Sequence, residues 1–259
     1  MGKPRIAVHK FSSCDGCQLQ ILNLEEELLD IVGAVDIVYF LEARSYHEPG
    51  PYDVSFVEGS VSTTEEVERI KEVREDSKFL VAIGACATAG GLQALRNWVP
   101  NFRDFAASVY PHPEYLKSLE KATPISEHVQ VDLSLQGCPV DRRQVLEVIV
   151  SLLLGRKPYI PTHSVCIECK RKGNICVMVA MGIPCLGPVT QAGCGAICPS
   201  FGRGCYGCFG PMDSPNPDSL ASEFEKRGMG KEEVIREFRK MTGWSSAFRE
   251  ITERIEKEG

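Results

Sequence analysis

Several features are missing from this chain of 259 residues. It has no run of apolar residues long enough to cross a membrane. Its best stretch, Val145 to Leu154, is short and interrupted by Glu147, whereas a spanning helix needs about 20 such residues. The opening residues, MGKPRIAVHKF, contain neither a long apolar segment nor a twin-arginine pair. No export signal is therefore read, and the cytoplasm is the expected compartment. No polybasic cluster stands out and the net charge is -6, which argues against nucleic acid as a partner. The loop after the first expected strand, SSCDGCQ, lacks G-x-G-x-x-G, so neither flavin nor NAD(P) is expected to bind this chain itself. No internal repeat of the solenoid kind is evident.

Cysteine is abundant, at 12 residues. Thiols stay reduced in the cytosol, so a dense pattern there points to metal more than to disulfides. The apolar fraction of 43% suffices for ordinary buried cores.

The first part of the chain alternates strand-like and helix-like segments. Arg5 to His9, Val35 to Phe40, Val54 to Val57, Phe79 to Ile83 and Val129 to Leu133 read as strands. Gln18 to Val32 carries Leu19, Leu22, Leu28 and Leu29 at helical spacing. Thr63 or Thr64 caps a helix running through Arg74, and Asp141 opens another that reaches Leu154 and stops at Gly155. Trp98 to Glu127, with four prolines, reads as an irregular insertion with one short helix. This order predicts an α/β fold, a doubly wound, flavodoxin-like parallel sheet over residues 1–155. Residues 156–215 form a second region, irregular and cysteine-rich, with eight cysteines between Cys166 and Cys208. It has too little apolar periodicity to fold without metal. Residues 216–259 read as a charged helical extension of two helices, around Gly228 to Gly230 and Gly243.

Four cysteines of the first domain share one topological address. Cys14 and Cys17 follow the first strand, Cys86 follows Phe79 to Ile83, and Cys138 follows Val129 to Leu133. The carboxyl edge of an open parallel sheet is where ligands bind, so these four are expected to converge. Four thiolates suit a [4Fe–4S] cluster or a tetrahedral zinc. Gly16, Gly84 and Gly137 let backbone approach the sulfurs, and N–H groups aimed there would raise a cluster's potential. Glu58 also follows a strand at this edge. It is a candidate polar group near the cluster or at an interface, against the plainer reading of a solvated strand-end carboxylate.

The eight later cysteines run Cys166-x2-Cys169-x6-Cys176-x8-Cys185 and Cys194-x3-Cys198-x6-Cys205-x2-Cys208. Grouping by adjacency gives two sets of four, though two-cluster ferredoxins exchange a ligand between clusters and that alternative stays open. Zinc competes for the same count but has no redox chemistry, and the first domain already reads as a redox site. His163, three residues before Cys166, reads as a linker histidine more than a ligand.

These motifs carry a resemblance. SSCDGCQ, the pair Glu58-Gly59, GAC at Cys86 and GCP at Cys138 resemble the proximal-cluster motifs of [NiFe] hydrogenase small subunits. PCLGPVT at Cys185 is similar to the distal-cluster motif of that family. ICP at Cys198 and GCYGC at Cys205 and Cys208 are similar to its medial motifs. Within the family the chain looks like the delta subunit of cytoplasmic archaeal enzymes of the soluble hydrogenase or sulfhydrogenase type. The family's standard pattern has a distal histidine and a medial [3Fe–4S] cluster on three cysteines. Here Cys169 stands available in place of the histidine and the medial set has a fourth cysteine.

The resemblance thus implies three [4Fe–4S] clusters, twelve cysteines serving as iron ligands. They are proximal on Cys14, Cys17, Cys86 and Cys138; medial on Cys194, Cys198, Cys205 and Cys208; distal on Cys166, Cys169, Cys176 and Cys185. It also implies electron transfer to or from the nickel–iron site of a large partner subunit, with no nickel on this chain. A flavin/NAD(P) subunit and a further iron–sulfur subunit would complete a heterotetramer, with sulfur or polysulfide reduction as a side activity. The alternatives are a stand-alone electron carrier, a hydrogenase subunit serving a deazaflavin acceptor, and a zinc-stapled interaction module. The cluster-bearing subunit of respiratory complex I is a neighbouring relative, but its motif has two adjacent cysteines whereas Cys14 and Cys17 are separated by two residues.

Overall fold

The computed structural model describes residues 2–258. β1 (Arg5–Lys10) leads into α1 (Gly16–Leu22) and α2 (Glu26–Ala34), followed by β2 (Asp36–Phe40), β3 (Tyr52–Glu58), β4 (Val61–Thr63) and α3 (Thr64–Glu75). Then come β5 (Ser77–Ile83), α4 (Gly84–Ala89), α5 (Phe102–Val109), β6 (Ser118–Thr123), β7 (Leu133–Leu135) and α6 (Arg142–Leu153). Three short helices, α7 (Val165–Arg171), α8 (Val177–Met181) and α9 (Ile197–Ser200), lie in the cysteine-rich region. α10 (Pro217–Lys226), α11 (Lys231–Phe238) and α12 (Ser246–Lys257) complete the chain.

The main sheet has the order β2-β1-β3-β5-β7, every neighbour parallel. Counting its strands alone this is 2-1-3-4-5, the flavodoxin-like winding. Strand alternation gives the sheet two buried faces. Ile6, Val8, Phe40, Phe56, Val81, Ile83 and Leu135 pack with Ile21, Ile31, Val145, Val148 and Ile149 of the helices on one side. Val57, Leu80 and Ala82 pack with Ile70 and Val73 of α3 on the other. The α3 start is a capping box: Thr63 Oγ1 accepts the Glu66 N–H at 3.2 Å and Glu66 Oε2 accepts the Thr63 N–H at 3.1 Å. Asp141 caps α6 through the Arg143 N–H at 2.9 Å.

Four local expectations are corrected. The single helix expected over Gln18 to Val32 is broken between α1 and α2, where Glu25 takes φ +53. The turn buries Leu24 in the core, and Leu29, placed by its spacing on the apolar stripe, is 75% exposed. The last strand lies at Leu133–Leu135 and not at Val129 to Leu133. Asp132 Oδ2 accepts the Leu80 N–H at 2.7 Å and pairs with Arg74, so the ladder with β5 begins only after it. The insertion holds β6, which pairs antiparallel with the short β4 in a second, two-stranded sheet. The C-terminal region has three helices, since Gly228 to Gly230 and Gly243 each end one segment and permit another.

Leu186 and Val189 share one apolar core with Leu220, Phe224, Phe238 and Phe248, so the cysteine-rich region and the C-terminal helices pack together. The C-terminal helices also touch the first domain. Arg239 lies 3.5 Å over the Trp98 ring, and Trp98 meets Trp244 edge-on at 5.1 Å.

His9 is buried on β1, stacked on Tyr39 at 4.6 Å and edge-on to Tyr52 at 5.5 Å. Burial, with Arg69 nearby, pushes its pKa down to about 3. The unfolded chain binds this proton below about pH 6.5 and the folded chain does not, so stability falls as pH drops through that value. Between pH 7.5 and 5.5 the wild-type chain is expected to lose about 1.4 kcal/mol more than His9→Phe, read from equilibrium denaturation of both at the two values.

Candidate cofactor sites

Four strand ends deliver one constellation. β1 ends four residues before Cys14, β3 ends at Glu58, β5 ends three residues before Cys86, and β7 ends three residues before Cys138. The structure brings the four predicted cysteines together. Cys17 senses the charges of Cys86 and Cys138, and Cys86 those of Cys138 and Cys14. Burial, then the nearby Glu58, pushes the Cys17 thiol far up, and burial pushes Cys86 up to about 11. Cys17 and Cys86 stay protonated near neutral pH as free thiols, so they would act as ligands only once a cation displaces their protons.

Bare backbone surrounds these sulfurs. A Cβ on Gly84, whose φ is +85, would fall on Cys17 Sγ. One on Gly91 would lie 2.5 Å from Cys86 Sγ, and one on Gly16 3.4 Å from Cys14 Sγ. Gly137, at φ +137, is packed against Pro139 and Val140. Glu58 is buried, at 2% exposure, and Oε1 accepts the Cys17 N–H at 2.9 Å. Its Oε2 has no partner among the described residues, and burial raises the carboxyl pKa. The solvated strand-end reading of Glu58 is therefore overturned.

Cys166, Cys169, Cys176 and Cys185 line one small cavity, with Gly187 and Lys170 beside them. A Cβ on Gly187 would lie 3.3 Å from Cys185 Sγ and 3.5 Å from Cys166 Sγ. Burial and the neighbouring Cys185 push Cys166 up to about 11. His163 does not line this cavity; its Nδ1 faces the Ser164 carbonyl at 3.2 Å.

The remaining cysteines surround the GCYGC turn. Cys208 senses Cys194 and Cys198, and burial pushes it up to about 12. Gly195 and Ala196 both have positive φ, and the main chain of Ala196 and Ile197 lies beside Cys194. Cys205 lies between two groups, sensing Cys185 as well as Cys208.

Two main-chain contacts connect the three groups in series. The Cys138 main chain lies beside the Cys208 thiol. The Cys205 N–H donates to Cys185 Sγ at 3.2 Å. The second contact depends on Gly204, where any Cβ would run into the Pro184 carbonyl. Glu168 is a structural residue that sequence reading passed over: its two oxygens accept the Gly193 and Ala196 N–H groups at 3.0 and 3.2 Å. Its signal was its place inside CIEC, between two ligand candidates.

Among the described residues, no three His, Cys, Asp or Glu side chains stand close enough to share a single metal ion. A four-iron cluster spreads its thiolates more widely than one tetrahedral ion does. The donor set fits such a cluster in three respects: all-sulfur chemistry, glycine cradles beside the sulfurs, and N–H groups aimed at them.

Gly84→Ala is expected to destabilise the chain by at least about 2 kcal/mol, from strain at positive φ and the clash with Cys17. Gly33→Ala, in α2 with nothing within 4 Å, is expected to be neutral or stabilising by up to about 1 kcal/mol. Denaturant midpoints of the two variants test this contrast.

Residues 14–152 match the family described as NADH ubiquinone oxidoreductase, 20 Kd subunit. The chain is 35% identical over 240 residues to sulfhydrogenase 2 subunit delta of Pyrococcus furiosus, covering 93% of this chain and 100% of that one. It is 32% identical to a subunit of the F420-non-reducing hydrogenase vhu of Methanocaldococcus jannaschii, covering 81% of this chain and 82% of that one. A chain of an NAD+-reducing [NiFe]-hydrogenase, solved in its H2-reduced state, superposes with a TM-score of 0.57 at 30% identity. That match covers 62% of this chain and 96% of that one.

Proposed function

The chain belongs to the NADH ubiquinone oxidoreductase 20 Kd subunit family and is a hydrogenase small-subunit-like electron-transfer subunit; from that premise we propose that it holds three [4Fe–4S] clusters in a [NiFe] hydrogenase. What supports this reading is the serial connection of three four-cysteine groups, by the Cys205 N–H hydrogen bond to Cys185 Sγ and by the Cys138 main chain beside Cys208. Clusters in such groups pass single electrons, at potentials set by charge, hydrogen bonding and exposure.

The residues have distinct parts. Cys14, Cys17, Cys86 and Cys138 hold the proximal group at the sheet edge, where Cys14 and Cys138 are exposed toward a large subunit carrying the nickel–iron site. Cys194, Cys198, Cys205 and Cys208 hold the medial group. Cys166, Cys169, Cys176 and Cys185 hold the distal group, farthest along the series. Glu58 fixes the Cys17 main chain from within the fold. No cysteine acts as an acid, base or nucleophile.

The cysteine-rich extension favours the hydrogenase reading over a complex I subunit, because the delta relative matches across 93% of this chain. That relative is named for a sulfhydrogenase, which supports sulfur or polysulfide reduction by the assembled complex. We assign the remaining partners as a flavin/NAD(P) subunit and a further iron–sulfur subunit, assembled in the cytoplasm. No helix among the described residues is long and apolar enough to cross a membrane.

Iron analysis of the purified complex is expected to give about twelve iron atoms for this chain, and zinc without iron would refute the reading. A [3Fe–4S] signal in electron paramagnetic resonance of the oxidised complex would refute the all-four-iron assignment. Cys169→Ser is expected to lose or convert the distal signal, while His163→Ala leaves it intact. The reverse result would make His163 the ligand.

A further inference from the structure

Gln144 has a role that the cysteine pattern does not account for. It lies in the first turn of α6 and is only 7% exposed. Neither Oε1 nor Nε2 has a hydrogen-bond partner among the described residues. Burying a carboxamide unpaired costs roughly 1–3 kcal/mol per group, and folded proteins almost always satisfy such atoms.

The surroundings say which acceptor is meant. The amide lies against Gly193, where φ is +131 and any Cβ would fall on Gln144 Nε2. That same Cβ would lie 3.1 Å from Phe209 Cε1. Gly193 precedes Cys194 and Phe209 follows Cys208, so the amide is framed by the neighbours of two cysteines of the medial group. The nearby main-chain donors are already committed: the Gly193 and Ala196 N–H groups go to Glu168 at 3.0 and 3.2 Å. A carboxamide offers two N–H donors and no charge. Sulfur ligands carrying negative charge are strong acceptors for such donors.

We propose that Gln144 donates from Nε2 to a sulfide of the cluster held by the medial group, and so positions that cluster and sets its potential. The inference rests on the iron–sulfur reading above. A donor to sulfur stabilises the more negative, reduced state, and so raises the potential. A neutral amide does this without adding a charge of its own in the space between the proximal and distal groups. Glycine at 193 is then required for the approach of the amide as well as for its backbone conformation.

The test uses the complete complex. Wild type is first characterised for iron content and for three distinct clusters. Absence of the medial cluster there would sink the iron–sulfur reading and this inference with it, a failure distinct from one at Gln144. Wild type is then labelled with 15N at glutamine side chains, and pulsed electron paramagnetic resonance is recorded on the medial signal, selected by its midpoint in a redox titration. A weak 15N coupling and an exchangeable proton are expected on that signal. In Gln144→Leu the 15N coupling should vanish, and reduction of that cluster should become about tenfold less favourable, a fall of about 59 mV for one electron. Gln144→Glu should fall at least as far. The other two midpoints should move much less. A medial cluster with no 15N coupling in wild type overturns the proposal, even if the variants fail to assemble. So does an unchanged midpoint in an assembled Gln144→Leu complex.

Discussion

Two of the three cysteine groups in this chain depend on main chain standing close against sulfur. Gly84 against Cys17, Gly91 against Cys86 and Gly187 against Cys185 each occupy space that a methyl group would fill. The constraint follows from chemistry. A thiolate that binds metal needs its other surroundings to supply N–H dipoles without bulk, because its charge must be balanced in a dry site. Glycine meets the steric half of that demand, and positive φ turns the amides inward.

The same close approach orders the three groups. Gly204 lets Cys205 reach Cys185, and the loop after β7 lets Cys138 reach Cys208. The cysteine-rich region is therefore no appended module. It is held on one side by the sheet's carboxyl edge and on the other by α10–α12, with Thr242 Oγ1 donating to the Gly207 carbonyl at 2.6 Å. The charged C-terminal helices act as a clamp. Their apolar faces bury Leu186 and Val189, beside the cysteines, in a core that the cysteine-rich region could not build alone. Arg239 then ties this clamp back to Trp98 of the first domain.

Much of the first domain was legible because a parallel sheet declares itself locally. Short β-rich runs between capped helical segments specify both the strands and their direction. The errors fell where packing overrode the local pattern. Burial of Leu24 broke a helix whose spacing was continuous. Asp132, taking the Leu80 N–H, moved the last strand toward Cys138. β4 and β6 escaped notice because β4 is three residues long and its partner lies far away in sequence. The candidate ligands stood out for a different reason: thiols are chemically singular, and their spacing survives any shift of a helix end.

By itself the sequence determined the winding of the sheet, the placing of four cysteines past strand ends, and the gathering of eight cysteines in the later region. These depend on short-range pattern and side-chain chemistry. Only the tertiary structure decided that Glu58 is buried against Cys17, that Cys205 faces two groups at once, and that Gln144 and Glu168 attend the medial cysteines. Apart from Cys205 and its near neighbour Cys208, each of these joins residues at least 20 positions apart. Such meetings are set by how the elements pack, through burial and steric fit, and packing has no periodic signature that can be read along a chain.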